Sequence, residues 1–298
     1  MFLKDKKYIL DGGTGQILIE KGLKPKGTLW SATALINNNY HNLLVETHLD
    51  FINAGAELIV TNNFCVRKRG FLKNNVLEHF ESANRIAGQL AQRAKDLSNA
   101  QVLIAGSLPT RGDTYQSKFF QTETEIYQEF YETGKTLNPF IDLFFLDVIC
   151  SIKETKIALD AVKQFKKPIL IGLHVRKNAR LPSGEPIEDV IKEIHNYNYC
   201  GIIAACVSPE IAKIVLPEFK KQNLPYGFKV NAFKNIPDDY LIDEKSGQQP
   251  TSILGTRKDF TPGVFKKFVD SLVKQGANLL GGCCEIKPSH IQSIKNLI

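Results

Sequence analysis

The chain has 298 residues, 43% of them apolar and 23% charged, with a formal net charge of +7. That length exceeds a disulfide-stapled miniprotein and falls short of two ordinary domains with a linker, and the composition excludes a disordered chain. The longest basic run is Arg67-Lys68-Arg69, so the charge reads as a solvated face, with no nucleic-acid partner expected.

In chain order, short apolar runs alternate with stretches of helical periodicity. Strands are predicted at 8–11, 58–61, 101–105, 143–147, 169–173, 201–205, 226–230 and 278–281. Each is nearly continuous in apolar character, as a strand buried on both faces should be. Helices are predicted at 42–54, 75–97, 124–137, 153–166, 187–196, 209–222, 262–275 and 288–297. Ser208-Pro209, Thr261-Pro262 and Lys287-Pro288 place proline in a first helical turn. Eight such units predict an α/β fold, a single-domain (β/α)8 TIM barrel over 1–298, which typically takes about 250 residues. A doubly wound sheet would instead need a glycine fingerprint after the first strand. Here the run is Asp11-Gly12-Gly13-Thr14-Gly15-Gln16, with Leu18 two residues on. Thr61-Asn62-Asn63 stands where an acidic ribose partner would follow the second strand.

No apolar stretch approaches the roughly 18 residues of a membrane span. Residues 1–10 carry three lysines with no apolar segment behind them. A cytoplasmic protein is therefore expected, its six cysteines outside disulfides. The long polar loops 107–123 and 231–261 both follow strands, so a barrel would hang them over its C-terminal mouth.

The strand ends carry Asp11, Thr61-Asn62-Asn63, Gly106-Ser107, Asp147, His174, Cys206, Asn231 and Gly281-Gly282-Cys283-Cys284. In a barrel these gather at one mouth. Three thiolates from Cys206, Cys283 and Cys284 can hold Zn²⁺ and leave a fourth position open, the pattern of a catalytic site. Free cysteines are also common as small buried residues, the reading given to Cys65, Cys150 and Cys200. Gly12, Gly13 and Gly15 after the first strand free backbone N–H groups for an anion, or form an ordinary turn. The histidines show no metalloprotease spacing, and there is neither a nucleophile elbow nor a P-loop.

The runs Leu10-Asp11-Gly12-Gly13-Thr14-Gly15, Leu29-Trp30-Ser31-Ala32, Thr61-Asn62-Asn63-Phe64 and Gly281-Gly282-Cys283-Cys284, with Ala54-Gly55-Ala56, Pro288 and His290, resemble the homocysteine S-methyltransferases. The similarity runs from about residue 10 to 291. It implies a (β/α)8 barrel, zinc on Cys206, Cys283 and Cys284, and methyl transfer to the thiol of homocysteine, giving methionine. The small-molecule partners implied are homocysteine and an onium methyl donor, S-methylmethionine or S-adenosylmethionine first. Betaine-type donors, dimethylsulfoniopropionate or a non-catalytic zinc-binding barrel are the alternatives. No obligate protein partner and no catalytic group beyond the zinc site are expected. The acceptor's carboxylate is assigned to the N–H groups around Gly12 and Gly13, and its ammonium to Asp11 and Asp147. Asn62, Asn231 and Trp30 complete the expected substrate contacts, Trp30 by a cation–π contact with the onium group. Where the family usually has Glu-Thr at the fourth strand, this chain has Asp147-Val148. At the seventh it has Asn231-Ala232-Phe233 in place of Asn, a small residue and Gly.

Overall fold

The computed structural model describes residues 6–221, 223–241 and 250–297. Eight parallel strands form one sheet: β1 (Tyr8–Ile9), β2 (Leu58–Val60), β3 (Leu103–Pro109), β4 (Leu143–Ile149), β5 (Ile169–Leu173), β6 (Gly201–Val207), β7 (Tyr226–Val230) and β8 (Leu279–Gly282). Sequential strands from β2 to β8 are neighbours, and β8 pairs with β1. The ring closes where Leu10 bridges Leu58 and the Asp11 N–H donates to Leu58 O at 3.0 Å. The predicted (β/α)8 barrel is the fold observed. Its seam is short: among the described residues the β1–β8 ladder comprises the pairs Tyr8–Leu279 and Ile9–Leu280, followed by a bond from the Gly282 N–H to Asp11 O at 2.8 Å.

All eight predicted strands are present, with one instructive difference. The third was expected to stop at 105, yet β3 runs on to Pro109, pairing Gly106, Ser107, Leu108 and Pro109 with Phe144, Phe145, Leu146 and Asp147. Ladder bonds to β4 override the weak strand preference of Gly-Ser. All eight predicted helices form within a turn of their expected bounds, although the predicted position 222 lies outside the described residues. Residues 75–97 divide into a 3-10 turn, Leu77–His79, and a long helix, Phe80–Ser98. The side chains of Thr122, Ser151, Ser208 and Thr261 cap four helices by accepting a backbone N–H three residues on. Sequence periodicity missed the short helices Thr14–Glu20, Thr33–Ile36, Lys68–Lys73 and Pro250–Leu254. The last lies in the loop read as 231–261, of which 242–249 are outside the described residues. No helix among the described residues is long and apolar enough to cross a membrane.

Side chains alternate across each strand. Leu143 and Phe145 pack inside the barrel, whereas Phe144 and Leu146 pack outward with the helices. This parity carries Asp147 inward. In β7, Phe228 and Val230 face outward, so Lys229 also points into the ring. Two bulges then break the rule at the mouth. The register shifts between Leu146 and Ile149, with Val148 at φ +62°, and between Ala205 and Val207, with Cys206 at φ +54°. Parity would send Cys206 outward with Ile202 and Ala204. The bulge turns it into the inner cluster and returns Val207 to the outer one.

Candidate active site

A cavity opens at the C-terminal ends of the strands. Its walls include Asp11, Trp30, Asn62, Phe64, Tyr115, Asp147, Lys229 and the thiols of Cys206, Cys283 and Cys284. The bulge supplies Cys206, and the turn after β8 supplies the adjacent pair. The three sulfurs lie within 4.8 Å of one another, and Cys206 Sγ is 3.7 Å from Cys284 Sγ. Among the described residues no other group of three metal-ligating side chains converges in this way.

The sulfurs are electrostatically unequal. Burial pushes the Cys206 thiol up, but hydrogen bonds from Cys283, Cys284 and Tyr115 outweigh it and hold it well below the usual thiol range. Hydrogen bonding to Cys206 in turn pushes Cys283 and Cys284 well above that range. The Tyr115 hydroxyl is 3.2 Å from Cys206 Sγ. Burial, then the charge of Cys206, keeps this phenol protonated, so it is the donor. Asn231 holds the same residue from behind. Its side-chain amide donates to Cys206 O at 2.8 Å, and its Oδ1 accepts the Phe233 N–H at 3.1 Å. Asn231, expected at the substrate, therefore braces a thiol, and Phe233 is buried beside it.

Asp11 and Asp147 occupy different circumstances. Lys229 Nζ donates to Asp11 Oδ1 at 2.6 Å, and the Val60 N–H donates to Oδ2 at 2.7 Å. Burial pulls the Lys229 pKa down, but Asp11, Cys283 and Asp147 outweigh it and hold it above the usual value. Among the described residues the Asp147 carboxylate accepts only the Ser107 hydroxyl, at 2.8 Å. Burial lifts its carboxyl to about 7, against the opposing pull of Lys229 and Ser107.

The glycine turn is tightly bound to the β8 loop. The Gly13 N–H donates to Ile286 O at 2.8 Å and the Thr14 N–H to Gly12 O at 3.0 Å. The N–H of Gly13, expected to face a substrate carboxylate, is thus used within the fold. A Cβ on Gly12 would lie 2.3 Å from Ile286 O, which accounts for glycine there. At Gly15 a Cβ would lie 2.5 Å from the Trp30 ring. Trp30 is half-buried and both packs on that glycine and lines the cavity. The Asn62 side-chain amide donates to Ser31 O at 3.1 Å and the residue lines the cavity. His174 stands behind the Tyr115 ring, with centroids 4.6 Å apart, and burial lowers its pKa to about 4.

Sequence reasoning missed Lys229, Tyr115 and Gln16. Lys229 had a signal, a lone charge at inward parity in an apolar strand. Gln16 also lines the cavity, and its buried side chain is set against the Cys284 thiol.

The family model described as Homocysteine S-methyltransferase matches residues 8–298. Homocysteine S-methyltransferase 1 of Saccharomyces cerevisiae is 24% identical, with 98% of this chain and 94% of that protein covered. Homocysteine S-methyltransferase of Escherichia coli strain K12 is 23% identical, covering 98% and 96%. Among solved structures, the metallated form of the homocysteine methyltransferase MmuM from Escherichia coli superposes with a TM-score of 0.79 at 20% identity, covering 98% of this chain and 96% of that one.

Proposed function

The chain belongs to the homocysteine S-methyltransferase family and is an enzyme of that class, and from this premise we propose that it methylates homocysteine from a small sulfonium donor with zinc on Cys206, Cys283 and Cys284. S-methylmethionine and S-adenosylmethionine are the favoured donors. The observation that carries this reading is the convergence of three strand-end sulfurs on one point of the cavity. Two sulfurs each about 2.3 Å from a tetrahedral zinc stand about 3.8 Å apart, and Cys206 and Cys284 already lie 3.7 Å apart. An all-sulfur, three-ligand donor set suits zinc with one position open. The neighbour MmuM is itself described in a metallated form.

When bound, the metal supplies Lewis acidity that keeps the homocysteine sulfur deprotonated at neutral pH. The chain's own groups do the rest. Tyr115 and Asn231 fix the Cys206 side chain and its backbone. Asp147, with a single hydroxyl partner, takes the acceptor's ammonium. Asp11 is engaged by Lys229 and Val60, so it shapes this grip from beside it. Trp30 and Phe64 give the cavity aromatic walls against which an onium methyl group is stabilised. The methyl group passes to the acceptor sulfur as the donor's S–CH3 bond breaks, and the donor leaves neutral. No acid is needed to release it, in keeping with the neutral His174 behind Tyr115.

The test is methionine formation by zinc-loaded protein, with S-methylmethionine, S-adenosylmethionine, dimethylsulfoniopropionate and betaine compared side by side. A sulfonium is expected to lead. Turnover with betaine well above every sulfonium overturns the donor assignment, and no turnover with any donor overturns the reaction.

A further inference from the structure

Four cationic side chains line the cavity: Arg67, Arg69, Arg111 and Lys229. Three are neutralised. Lys229 pairs with Asp11 at 2.6 Å, Arg69 with Asp113 at 2.8 Å and Arg111 with Glu129 at 2.9 Å. Arg67 differs. Its guanidinium donates to Gly112 O at 2.9 Å and Thr114 Oγ1 at 3.4 Å, both uncharged. Those contacts use two of its five N–H groups. No carboxylate among the described residues forms an ion pair with it. The group is half-buried and lies over the Phe64 ring, 5.6 Å from its centroid.

The cavity's carboxylates repeat the pattern from the other side. Asp11 and Asp113 have cationic partners within ion-pair distance, while the Asp147 carboxylate, among the described residues, bonds only to a hydroxyl. One guanidinium and one carboxylate are therefore left without a direct charged partner in a shared, partly desolvated space. A ligand that is itself zwitterionic complements both.

We propose that Arg67 is the receptor for a substrate carboxylate, and so a specificity-determining residue of the methyl-transfer site. The inference rests on the reaction proposed above. A planar guanidinium can meet a carboxylate through two parallel N–H···O bonds, and the Phe64 face keeps its plane fixed. Homocysteine carries a carboxylate, and so do S-methylmethionine, S-adenosylmethionine and dimethylsulfoniopropionate, so the source is settled by experiment.

Trp30 is the single tryptophan and lines the cavity, so its fluorescence reports binding without turnover. Dissociation constants are measured on zinc-loaded wild type, Arg67→Met and Arg67→Lys. The ligands are homocysteine, S-methylmethionine, S-adenosylmethionine and dimethylsulfoniopropionate, each beside its own carboxamide. For at least one ligand, amidation should weaken wild-type binding about tenfold or more, the worth of a charged hydrogen bond. Arg67→Met should erase that penalty without moving the carboxamide's own affinity, and Arg67→Lys should keep part of it. The ligand that shows the effect names the source. The role is overturned if wild type shows no amidation penalty, if the penalty survives undiminished in Arg67→Met, or if that variant weakens acid and amide alike. Arg67→Lys and the wild-type arm decide the matter should Arg67→Met not fold. Since binding is read without chemistry, loss of methyl transfer with every donor would unseat the reaction and leave the role of Arg67 to be judged on affinities.

Discussion

The Lys229 ammonium stands 2.6 Å from the Asp11 carboxylate, a contact that joins the seventh strand to the end of the first across the barrel interior. Both side chains are buried. The pair gives Asp11 a charged partner within the fold, whereas Asp147 has none at ion-pair distance among the described residues, in keeping with the ammonium contact proposed for Asp147. It also couples the floor of the cavity to the stability of the ring.

Removing one partner should therefore be costly. Lys229→Met leaves a buried carboxylate without its counter-ion, and unfolding free energy is expected to fall by about 3–5 kcal/mol. Asp11→Asn added to that change should recover part of the loss. Urea denaturation of the three proteins measures this. A loss below about 1 kcal/mol, the range of a surface pair, would show that the contact contributes little.

Metal content follows from the three sulfurs. Elemental analysis of purified protein should find about one zinc per chain, and Cys206→Ala, Cys283→Ala and Cys284→Ala should each lose it together with methyl transfer. A fully metallated Cys206→Ala protein would sink the ligand assignment.

Tyr115 acts on that site without belonging to its ligands. Its hydroxyl meets Cys206 Sγ at 3.2 Å. Tyr115→Phe should lower zinc affinity about 10- to 100-fold, as is common when a ligand's supporting hydrogen bond is lost. Competition with a colorimetric chelator gives the number, and an unchanged affinity would assign the tyrosine to packing.

Asp147 predicts a pH dependence. Its carboxyl titrates near 7 in the folded protein, against 3.8 as the ordinary value. Between about pH 4 and 7 the folded state holds the extra proton, so this group makes stability fall as pH rises through that window and adds no slope above it. Binding runs the other way. The ionised form grips an ammonium, so the contribution of Asp147 to homocysteine affinity grows from pH 6 to 8. Asp147→Asn should weaken binding by about 1.5–3 kcal/mol at pH 8 and flatten both trends. Parallel wild-type and variant titrations would refute the role.

The sequence disclosed the ring because each strand is an apolar run bounded by turn residues. It disclosed the thiols because Cys206 and the Cys283-Cys284 pair fall at strand ends. It did not disclose how Cys206 reaches the interior, since strict alternation points it at the helices. The left-handed backbone at Cys206 and Val148 belongs to residues with no intrinsic taste for it, so nothing local announces the bulges. Tyr115 was hidden for another reason, because a loop of no fixed period carries it across to β6. Asn231 was visible, but its bond to Cys206 was not. Its type suited a substrate contact, and only the fold shows its amide already used by Cys206.

The short seam at β1 carries a kinetic consequence. The first strand pairs with β8 over two residues and with β2 through one bridge, a shorter ladder than those of β3 to β7, so its amides should exchange with deuterium earlier than theirs. Opening there draws Asp11 away from Lys229, and the glycine turn from the loop that bears Cys283 and Cys284. A ligand that binds only the closed ring would then hold it shut. Exchange at residues 8–13 should slow on adding homocysteine far more than exchange at β4 or β5, which gives occupancy a readout in time as well as in affinity.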